Sequence, residues 1–469
     1  MNKNSKYLGL IFVLVLALFS CTNKENLVAN TQNNTINNGQ STTVDINTLN
    51  YDKNNTIVVS MDKDVAVDLD NKLMQDDTSI TLKSGNTYIL KGNLVNKQIK
   101  LVKDVADSIT LILDNVQIET NQNNAILSQD DIKVNVISEK GTKNNINLVT
   151  NNTGAKELKN CSVIFSQDDI TLGGEGNLNL KAGFESLVES KSNMTFVSGN
   201  YVLNTKADAL RTKNQLLIKN GNFFIESGDD SIKITNEKNG NFCMENGTVR
   251  IKANDKGINS DNEVNITGGA LDIDSKGECI SGRQVNVYGG ALNLKTNDDA
   301  INATDPNQNK KSNQTGVFVR IAGGNLNIDS GMDGIDSNGA LYLEGGKLLI
   351  NGANNDNERI IDYNGDIVLD DAKGFEMLGV GPSAKMQDLG ENPKQNYIIV
   401  YFANPMNAND NIVLKDNNGN IVLSLKTIKQ YHAIMATSKQ LIAGEKYKIV
   451  AGTKEIDITL NKGKNEIEV

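Results

Sequence analysis

Several residue types that carry common chemistries are scarce in this sequence of 469 residues, which has no tryptophan, one histidine, four cysteines and four prolines. Without indole rings, stacking on Trp cannot be the main way of holding a neutral sugar. His432 is the only imidazole, which disfavours Ser–His and Cys–His nucleophiles. Cys161, Cys243 and Cys279 are widely spaced and form no CxxC pair, so neither a disulfide framework nor a zinc site is indicated. We predict that these three are small buried side chains.

Positive charge is also in short supply, with 47 Lys and Arg against 57 Asp and Glu and a formal net charge of -10. Phosphate binding needs clustered Lys and Arg, so the sequence predicts no nucleic-acid partner. The same net charge repels acidic polysaccharides. If the ligand is an acidic glycan, a cation must mediate the contact.

The N-terminus has the pattern of an export signal. Two lysines form a basic start, residues 8–19 are an apolar run too short for a comfortable membrane span, and Leu-Phe-Ser-Cys at 18–21 resembles a lipobox. We predict a lipoprotein signal peptide at residues 1–20, a lipid anchor on Cys21 and a location on the extracellular face of the cell membrane. A plain secretory signal with a chance cysteine is the alternative. Residues 21–50 are polar, which predicts a flexible tether.

A short motif recurs along the middle of the chain. Pieces with the pattern glycine, any residue, apolar, any residue, apolar begin at Gly176, Gly199, Gly221, Gly247, Gly269, Gly290, Gly324 and Gly346. Successive glycines are 21 to 26 residues apart except for one gap of 34, where residues 305–315 insert a polar loop. A period near 22 residues indicates a solenoid of stacked repeats rather than a globular core.

Each repeat contains three short β-prone pieces separated by Asn, Asp, Gly and Ser. Apolar and polar residues alternate within these pieces, which places one set of side chains inside. The pattern of a leucine-rich repeat is absent. We therefore predict an all-β chain that forms a right-handed parallel β-helix, with rungs of about 22 residues and three short strands in each rung.

The regions on either side of the array are rich in β-prone segments but lack the period. We predict an N-terminal β cap at residues 51–110, the parallel β-helix at 111–372 and a small C-terminal β domain at 373–469. Within the last region, the turn residues at 417–420 predict one hairpin and residues 446–461 predict another.

Acidic residues recur at one position of the repeat. Two places before an apolar residue of the middle piece stand Glu185, Asp208, Asp230, Lys256, Glu278, Asp299, Asp333 and Glu358, seven of which are acidic. If the rungs stack in register, these carboxylates lie roughly 5 Å apart and repel one another by about 1 kcal/mol per pair in water. Such a column requires cations between its members or side chains that spread into water.

Calcium suits such a column because it accepts about six to eight oxygen ligands from carboxylates, amides and carbonyls. We predict Ca²⁺ ligands among Asp208, Asp229, Asp230, Asp298, Asp299, Asn302, Asp333 and Asp336. The alternative is that Asp and Asn only turn the chain at its bends, and for any single residue both interpretations stay open. Lys256 bears on the choice, because an ammonium group in the column would neutralise its neighbours without a metal.

Several motifs strengthen one family interpretation: "GTKN" at 141–144, "SQDDITLGGEGNLNL" at 166–180, "DDAIN" at 298–302 and "DGID" at 333–336. Together with the lipobox, they resemble the clostridial cell-surface carbohydrate-binding β-helix lipoproteins, from about residue 80 to the C-terminus. The resemblance implies a fold similar to that of pectate lyases, carbohydrate binding, Ca²⁺ and acidic, polygalacturonate-type glycans. The chain departs from the family's "DGI" pattern at Lys256 and Glu278, which puts metal at those two rungs in doubt.

Three functions are compatible with the sequence. The first is a monomeric, non-catalytic module that binds an acidic polysaccharide through Ca²⁺ and through the basic side chains Arg211, Lys233, Lys256 and Arg283. The second is a calcium-dependent polysaccharide lyase, in which one of these groups or Arg320 abstracts the proton beside a uronate carboxylate. The third is a structural adhesin without a glycan ligand. We favour the first and assign no catalytic residue.

Overall fold

A computed structural model describes residues 56–62, 72–150, 160–309, 311–353, 355–370, 372–382 and 386–469. All regular elements in this part of the chain are strands, numbered β1 to β41 in chain order. Among these residues, no helix is long and apolar enough to span a membrane. The predicted signal peptide, tether and Cys21 anchor lie outside the described residues.

Three strands make up each rung, and each strand pairs in parallel with its equivalents in the rungs above and below. We call the three resulting stacks face 1, face 2 and face 3, in the order in which the chain visits them. This arrangement confirms the predicted all-β parallel β-helix.

Face 1 consists of β9 (Lys143–Leu148), β12 (Asn177–Lys181), β15 (Asn200–Asn204), β18 (Asn222–Ser227), β21 (Thr248–Ala253), β24 (Ala270–Ser275), β27 (Ala291–Thr296) and the second halves of β4 (Thr87–Val95), β6 (Ser108–Thr120), β29 (Phe318–Asp329) and β31 (Ala340–Asn351). Face 2 consists of β3 (Ser79–Lys83), β5 (Gln98–Val102), β7 (Asn124–Ser128), β10 (Ser162–Ser166), β13 (Ser186–Ser190), β16 (Leu210–Thr212), β19 (Ile232–Ile234), β22 (Ile258–Ser260), β25 (Ile280–Gly282), β28 (Ile301–Ala303), β30 (Ile335–Ser337) and β32 (Ile361–Tyr363). Face 3 consists of β1 (Ile57–Ser60), β8 (Lys133–Ser138), β11 (Ile170–Gly174), β14 (Met194–Phe196), β17 (Gln215–Ile218), β20 (Asn241–Met244), β23 (Glu263–Ile266), β26 (Gln284–Val287), β33 (Ile367–Leu369) and the first halves of β4, β6, β29 and β31.

Inward side chains stack into a continuous apolar core. On face 2 the directly paired and fully buried residues include Ile232, Ile258, Ile280, Ile301 and Ile335. Strands in such a stack lie about 4.8 Å apart, so each isoleucine packs on its equivalents in the neighbouring rungs. No rung could bury this surface alone, and stacking therefore supplies the stability. Cys161, Cys243 and Cys279 are buried, as predicted.

Glycine marks the bend from face 3 to face 1. Gly290, Gly324 and Gly346 have φ angles of 95°, 85° and 88°, in the left-handed region that glycine adopts without strain. The preceding residue is also glycine, and a Cβ on Gly323 would lie 2.2 Å from the carbonyl oxygen of Tyr288 in the rung before it. The glycine period of the sequence therefore marks the close approach of successive rungs.

Parallel pairing begins well before the predicted start of the β-helix. On face 2, β3 pairs in parallel with β5, and on face 3, β1 pairs in parallel with β4. The short strand β2 (Leu73–Gln75) pairs antiparallel with β3 at this end. Residues 79–110, placed in the predicted N-terminal cap, are thus built as rungs, and the pairing is continuous across residue 111.

The C-terminal region continues the sheet of the β-helix. It comprises β34 (Glu376–Gly381), β35 (Tyr397–Met406), β36 (Asn411–Asp416), β37 (Ile421–Lys426), β38 (Tyr431–Thr437), β39 (Lys446–Ala451), β40 (Lys454–Thr459) and β41 (Lys464–Glu468). Strand β34 pairs in parallel with β31 of the last rungs and antiparallel with β38. The antiparallel pairs β36–β37 and β39–β40 confirm the two predicted hairpins. A second apolar core, which includes Leu414, Ile434 and Ile449, lies between the two sheets of this region.

Candidate functional site

Face 2 carries two adjacent columns of polar side chains. The bend column, two places before the inward residue of each strand, contains Ser186, Asp208, Asp230, Lys256, Glu278, Asp299, Asp333 and Arg359. The strand column, directly after the inward residue, contains Glu189, Arg211, Lys233, Asn259, Ser281, Asn302, Asp336 and Asp362. Consecutive members belong to adjacent rungs, roughly 5 Å apart.

The prediction of the acidic column is wrong at two rungs, by one residue in each. The strand register places Ser186 rather than Glu185, and Arg359 rather than Glu358, in the bend column. In both rungs two apolar residues are adjacent in the sequence, so the repeat could be aligned on either of them. Only the pairing between strands decides which one points inward at the common level. Five of the eight positions are therefore acidic, not seven.

Basic side chains neutralise the first half of face 2. Lys233 Nζ lies 3.1 Å from Asp230 Oδ2 and 3.7 Å from Asp208 Oδ2. Arg211 Nη1 lies 3.8 Å from the same oxygen of Asp208. These contacts arise because Arg211 and Lys233 occupy the strand column, directly beside the acids of the bend column. The structure therefore brings the predicted acidic and basic residues of these rungs together as ion pairs.

Asp208 is buried in spite of its two basic neighbours. Burial raises its pKa to about 7, although Lys233 acts in the opposite direction, and the charge of Asp230 adds to the increase. Its Oδ1 atom is buried and has no hydrogen-bond partner among the described residues. The Asp208 carboxyl is therefore only partly ionised near neutral pH.

Asp229, Asp230 and Asp255 also come together in this half, with one carboxylate oxygen of each within 4.8 Å of the others. However, Asp230 Oδ1 accepts a hydrogen bond from the backbone N–H of Lys256 at 3.1 Å, and Asp230 Oδ2 accepts one from Asn259 Nδ2 at 2.8 Å. The ammonium group of Lys233 forms an ion pair with Asp230 Oδ2 as well. A metal ion would have to displace these donors, so this group of acids fits an ion poorly.

The second half of face 2, from Glu278 to Asp362, offers a different arrangement. Asp333, Asp336 and Asp362 bring one carboxylate oxygen each within 4.8 Å of one another. Asn302 is paired in register with Asp336, and its Oδ1 atom is buried without a hydrogen-bond partner in the described part of the chain. Asp299 Oδ1 accepts a hydrogen bond of 2.9 Å from the backbone N–H of Asp333. We call these five residues the acidic cluster.

Burial dominates the electrostatics of the acidic cluster. It raises the pKa of Asp299 to about 8 and that of Asp333 to about 7. Backbone N–H groups that hydrogen-bond to the two carboxylates partly offset the effect, whereas nearby carboxylates, among them Asp336, increase it. Without a cation, Asp299 and Asp333 are therefore at least partly protonated near neutral pH. The oxygen-only donor set matches the preference of Ca²⁺.

Two residues of this half were missed in the sequence. Asp362 completes the group of three acids, and the signal for it was present, because Asp362 follows Ile361 as Asp336 follows Ile335. Arg359 ends the bend column, and its Nη1 atom lies 3.1 Å from Asp362 Oδ1. This guanidinium supplies part of the positive charge that the acids require.

Other predicted residues have local roles. Asp298 Oδ1 accepts a hydrogen bond of 2.9 Å from the backbone N–H of Asp299, and the backbone N–H of Asp298 donates to Thr296 Oγ1 at 2.9 Å. These contacts shape the bend between faces 1 and 2. The carbonyl oxygen of Asp229 likewise accepts a hydrogen bond from Ser227 Oγ. Both placements agree with the turn interpretation of these acids.

The predicted basic residues do not form one group. Lys256 Nζ lies 3.1 Å from Glu278 Oε1 within the bend column. Arg283 lies beyond the end of β25, where its Nε atom is 3.7 Å from Asp305 Oδ2 in the polar loop. Arg320 is farther away still, on face 3, where it forms an ion pair with Glu344. The structure therefore separates Arg283 and Arg320 from the columns of face 2.

One family of known proteins matches most of this chain. Residues 76–304 and 278–461 each match the model of the carbohydrate-binding domain-containing protein family. The chain belongs to this family. The two matches together span the rungs, both columns of face 2 and nearly all of the C-terminal region. The membership makes carbohydrate the class of ligand for this protein.

The carbohydrate-binding chain is also similar to one solved structure, titled a polysaccharide lyase-like protein from C. thermocellum in a gadolinium derivative. The two sequences are 26% identical, and the alignment covers 50% of this chain and 92% of the other, with a TM-score of 0.39. A search of curated proteins found no match.

Proposed function

We propose that the protein binds an acidic, polygalacturonate-like polysaccharide on face 2, through Ca²⁺ held by the acidic cluster. One observation carries the proposal: Asp333, Asp336 and Asp362 converge on the half of face 2 where Arg359 is the one basic member of the two columns. Carbohydrate binding is the property of the family. The chemistry of this cluster supports the ion and, through the ion, an acidic glycan.

Ca²⁺ would be held by the carboxylates of Asp333, Asp336 and Asp362, with the amide oxygen of Asn302 as a further donor. All of these ligands are oxygens, and sulfur and nitrogen ligands, which Zn²⁺ favours, are absent from the set. When bound, the ion supplies positive charge that a uronate carboxylate can share. This would let a protein with a formal net charge of -10 hold a polyanion.

The basic groups of the first half would extend the same surface. Lys233 is four rungs from Asp336 along the strand column, which corresponds to about 20 Å. A polysaccharide laid along the β-helix axis would therefore reach both halves. The side chains of Arg211, Lys233 and Lys256 are 29%, 30% and 25% exposed, so they can contact the ligand without leaving their present partners.

Lys233, which lies beside both Asp208 and Asp230, is poorly suited to act as a catalytic base. Burial lowers the pKa of Lys233, but the charges of Asp208 and Asp230 outweigh it and raise the pKa above its ordinary value. A general base must lose its proton near the working pH. We therefore propose that Lys233 binds the ligand and does not act as a catalytic base.

The N-terminal sequence supports a proposal for the place of the protein in the cell. A basic start, a short apolar run and the cysteine at position 21 support a lipid-anchored location on the extracellular face of the membrane. In that location the β-helix would present face 2 to polysaccharide outside the cell.

The proposal is tested by retention of the full chain on immobilised polygalacturonate, with and without chelator. We expect retention that requires Ca²⁺ and that is lost in the triple variant Asp333→Asn, Asp336→Asn, Asp362→Asn. A Ca²⁺-dependent increase in melting temperature should disappear in the same variant, because an ion that binds only the folded state stabilises it by about 2.7 kcal/mol at a hundred times its Kd.

A matched control carries Asp107→Asn, Glu175→Gln and Asp457→Asn, three exposed acids outside the acidic cluster, and changes the net charge equally. This control should bind as the wild type does. Equal loss in both variants would show that only overall charge matters. Ultraviolet absorbance from an unsaturated product would instead reveal lyase action, and no retention of the wild type would leave a structural adhesin.

A further inference from the structure

A second concave site lies on face 1, where the C-terminal region meets the β-helix. This junction cleft has a volume of about 220 Å³, and it is lined by face 1 residues of four successive rungs and by the loop after β37. Pockets for drug-sized ligands measure about 300–1,000 Å³. The junction cleft is therefore of the size that suits a single sugar ring.

One wall of the junction cleft is a column of polar side chains. Asp272, Asn293 and Asn327 are paired in register on successive rungs, and all three are exposed. Asn327 Nδ2 donates a hydrogen bond of 3.0 Å to Asn293 Oδ1, which leaves the amide oxygen of Asn327 and the amide N–H₂ group of Asn293 directed along the column. Hydroxyl groups of a sugar are donors and acceptors that match such side chains.

The opposite wall is apolar. Leu425 and Ile428 line it, and Ile428 is 48% exposed although it is a large hydrophobic residue. The backbone N–H of Ile428 donates to Asn351 Oδ1 at 3.1 Å, which fixes this wall against the last rungs. On the first wall, Leu349 is paired with Asn327 and is the next member of its column. A pyranose ring has an apolar C–H surface and a hydroxyl-bearing edge, so one polar and one apolar wall suit it.

Charge around the junction cleft disfavours an acidic sugar. Lys295 is paired with Asp274 at 3.2 Å, and Asp329 is paired with Lys429 at 2.6 Å. The carboxylate of Asp272 is the charged group of the polar column within the cleft, and it would repel a uronate. No group of three acids that could hold a metal occurs here among the residues described.

The same column continues away from the junction cleft. Two rungs before Asp272 it reaches Phe224, whose side chain is 49% exposed, with Arg250 between them. Aromatic rings are platforms on which sugar rings pack. A chain that begins in the cleft and follows the β-helix axis would cross this platform after about 10 Å.

We propose that the junction cleft is a saccharide site separate from face 2, which takes an uncharged sugar and needs no metal ion. The polar column orients the hydroxyl groups, and Ile428 with its apolar neighbours covers the ring. The site is independent of the proposed Ca²⁺-dependent binding on face 2, and each could fail without the other.

The test uses the full chain in chelator and titrates it calorimetrically with neutral linear hexasaccharides of glucose, mannose and xylose, and with an oligogalacturonate. We expect at least one neutral ligand to bind without Ca²⁺. The variants Asn293→Ala with Asn327→Ala, and Ile428→Asp alone, should each weaken that binding by about tenfold or more. The oligogalacturonate should not bind in chelator.

The control variant Asn145→Ala with Asn179→Ala removes the same kind of hydrogen-bonded amide pair from the same column at earlier rungs. It should bind neutral sugar normally, as should the triple variant of the acidic cluster. Melting temperatures establish that every variant is folded. The proposal is overturned if no neutral ligand binds the wild type, if the cleft variants bind normally, or if the acidic-cluster variant loses the binding.

Discussion

Asp299 and Asp333 show how the rungs change the chemistry of single residues. An isolated aspartate in water is ionised at neutral pH, but burial between rungs raises the pKa of both carboxyls to about 8 and about 7. Part of the increase comes from other rungs, since the acids that act on Asp333 include Asp362, which belongs to the next rung. A cation or a proton is therefore needed where the rungs bring the acids together.

The raised pKa of Asp299 predicts how stability depends on pH when metal is removed. Because the folded-state pKa is about 8 and the ordinary value is 3.8, the folded protein binds more protons than the unfolded chain between these values. In chelator, stability should be greatest at low pH within this window and should fall as pH rises through about 8. Melting temperature measured across the window checks this.

Asp299→Asn mimics the protonated carboxyl, so this variant should lose less stability than the wild type at the alkaline end of the window and should match it at the acidic end. Asp457→Asn, at a side chain that is 82% exposed, should leave the slope unchanged. A wild-type melting temperature in chelator that rises with pH would contradict the prediction.

At the scale of the elements, the bend between faces 3 and 1 determines how closely the rungs can stack. Gly346 and Gly419 have nearly equal φ angles, 88° and 84°. A Cβ on Gly346 would lie 2.6 Å from the backbone carbon of Gly323 in the preceding rung, whereas one on Gly419 would meet nothing within 4 Å. Substitutions at these two glycines therefore separate two effects on the free energy of unfolding: the left-handed backbone conformation and the contact between rungs.

Gly419→Ala should destabilise the protein by about 1–2 kcal/mol, because only the left-handed conformation is penalised. Gly346→Ala should cost about 1–3 kcal/mol more, because the backbone of the neighbouring rung must shift. Urea unfolding of the two variants measures the difference. Equal losses would show that the rungs have room at this bend and that the glycine period reflects turn geometry alone.

For the molecule as a whole, the β-helix and the C-terminal region share a continuous sheet and a polar contact at the junction. Lys429 Nζ lies 2.6 Å from Asp329 Oδ1 and donates a hydrogen bond of 2.6 Å to the carbonyl oxygen of Ser330. Strand β34 pairs on one side with the last rungs and on the other with β38. The C-terminal region therefore covers the end of the apolar column that the rungs would otherwise expose.

Lys429→Met should destabilise this junction, because Asp329 would remain partly buried without its cation, at a cost of about 1–3 kcal/mol. Hydrogen exchange should increase in β36 and β37, while the amides of β16 to β25 stay protected. Lys448→Met, which removes an exposed pair with Glu455, should change stability by less than about 1 kcal/mol. Unchanged exchange at the junction in the first variant would show that the shared sheet alone holds the two parts together.

The sequence was sufficient for features that repeat. The spacing of glycines and the alternation of apolar residues predicted the parallel β-helix, because every rung must satisfy the same packing and bending requirements. The same reasoning predicted the hairpins near Gly419 and Gly452. It also identified most members of the two face 2 columns, since their position relative to the inward isoleucine is constant.

The sequence by itself thus determined the architecture and the class of residue on each face, because those follow from local periodicity. Only the tertiary structure decided the register at Glu185 and Glu358, where adjacent apolar residues allowed two alignments. It also decided which acids have basic neighbours and which converge as the acidic cluster. These outcomes depend on contacts between rungs more than 20 residues apart in the chain, and the junction cleft requires strands separated by more than 100 residues.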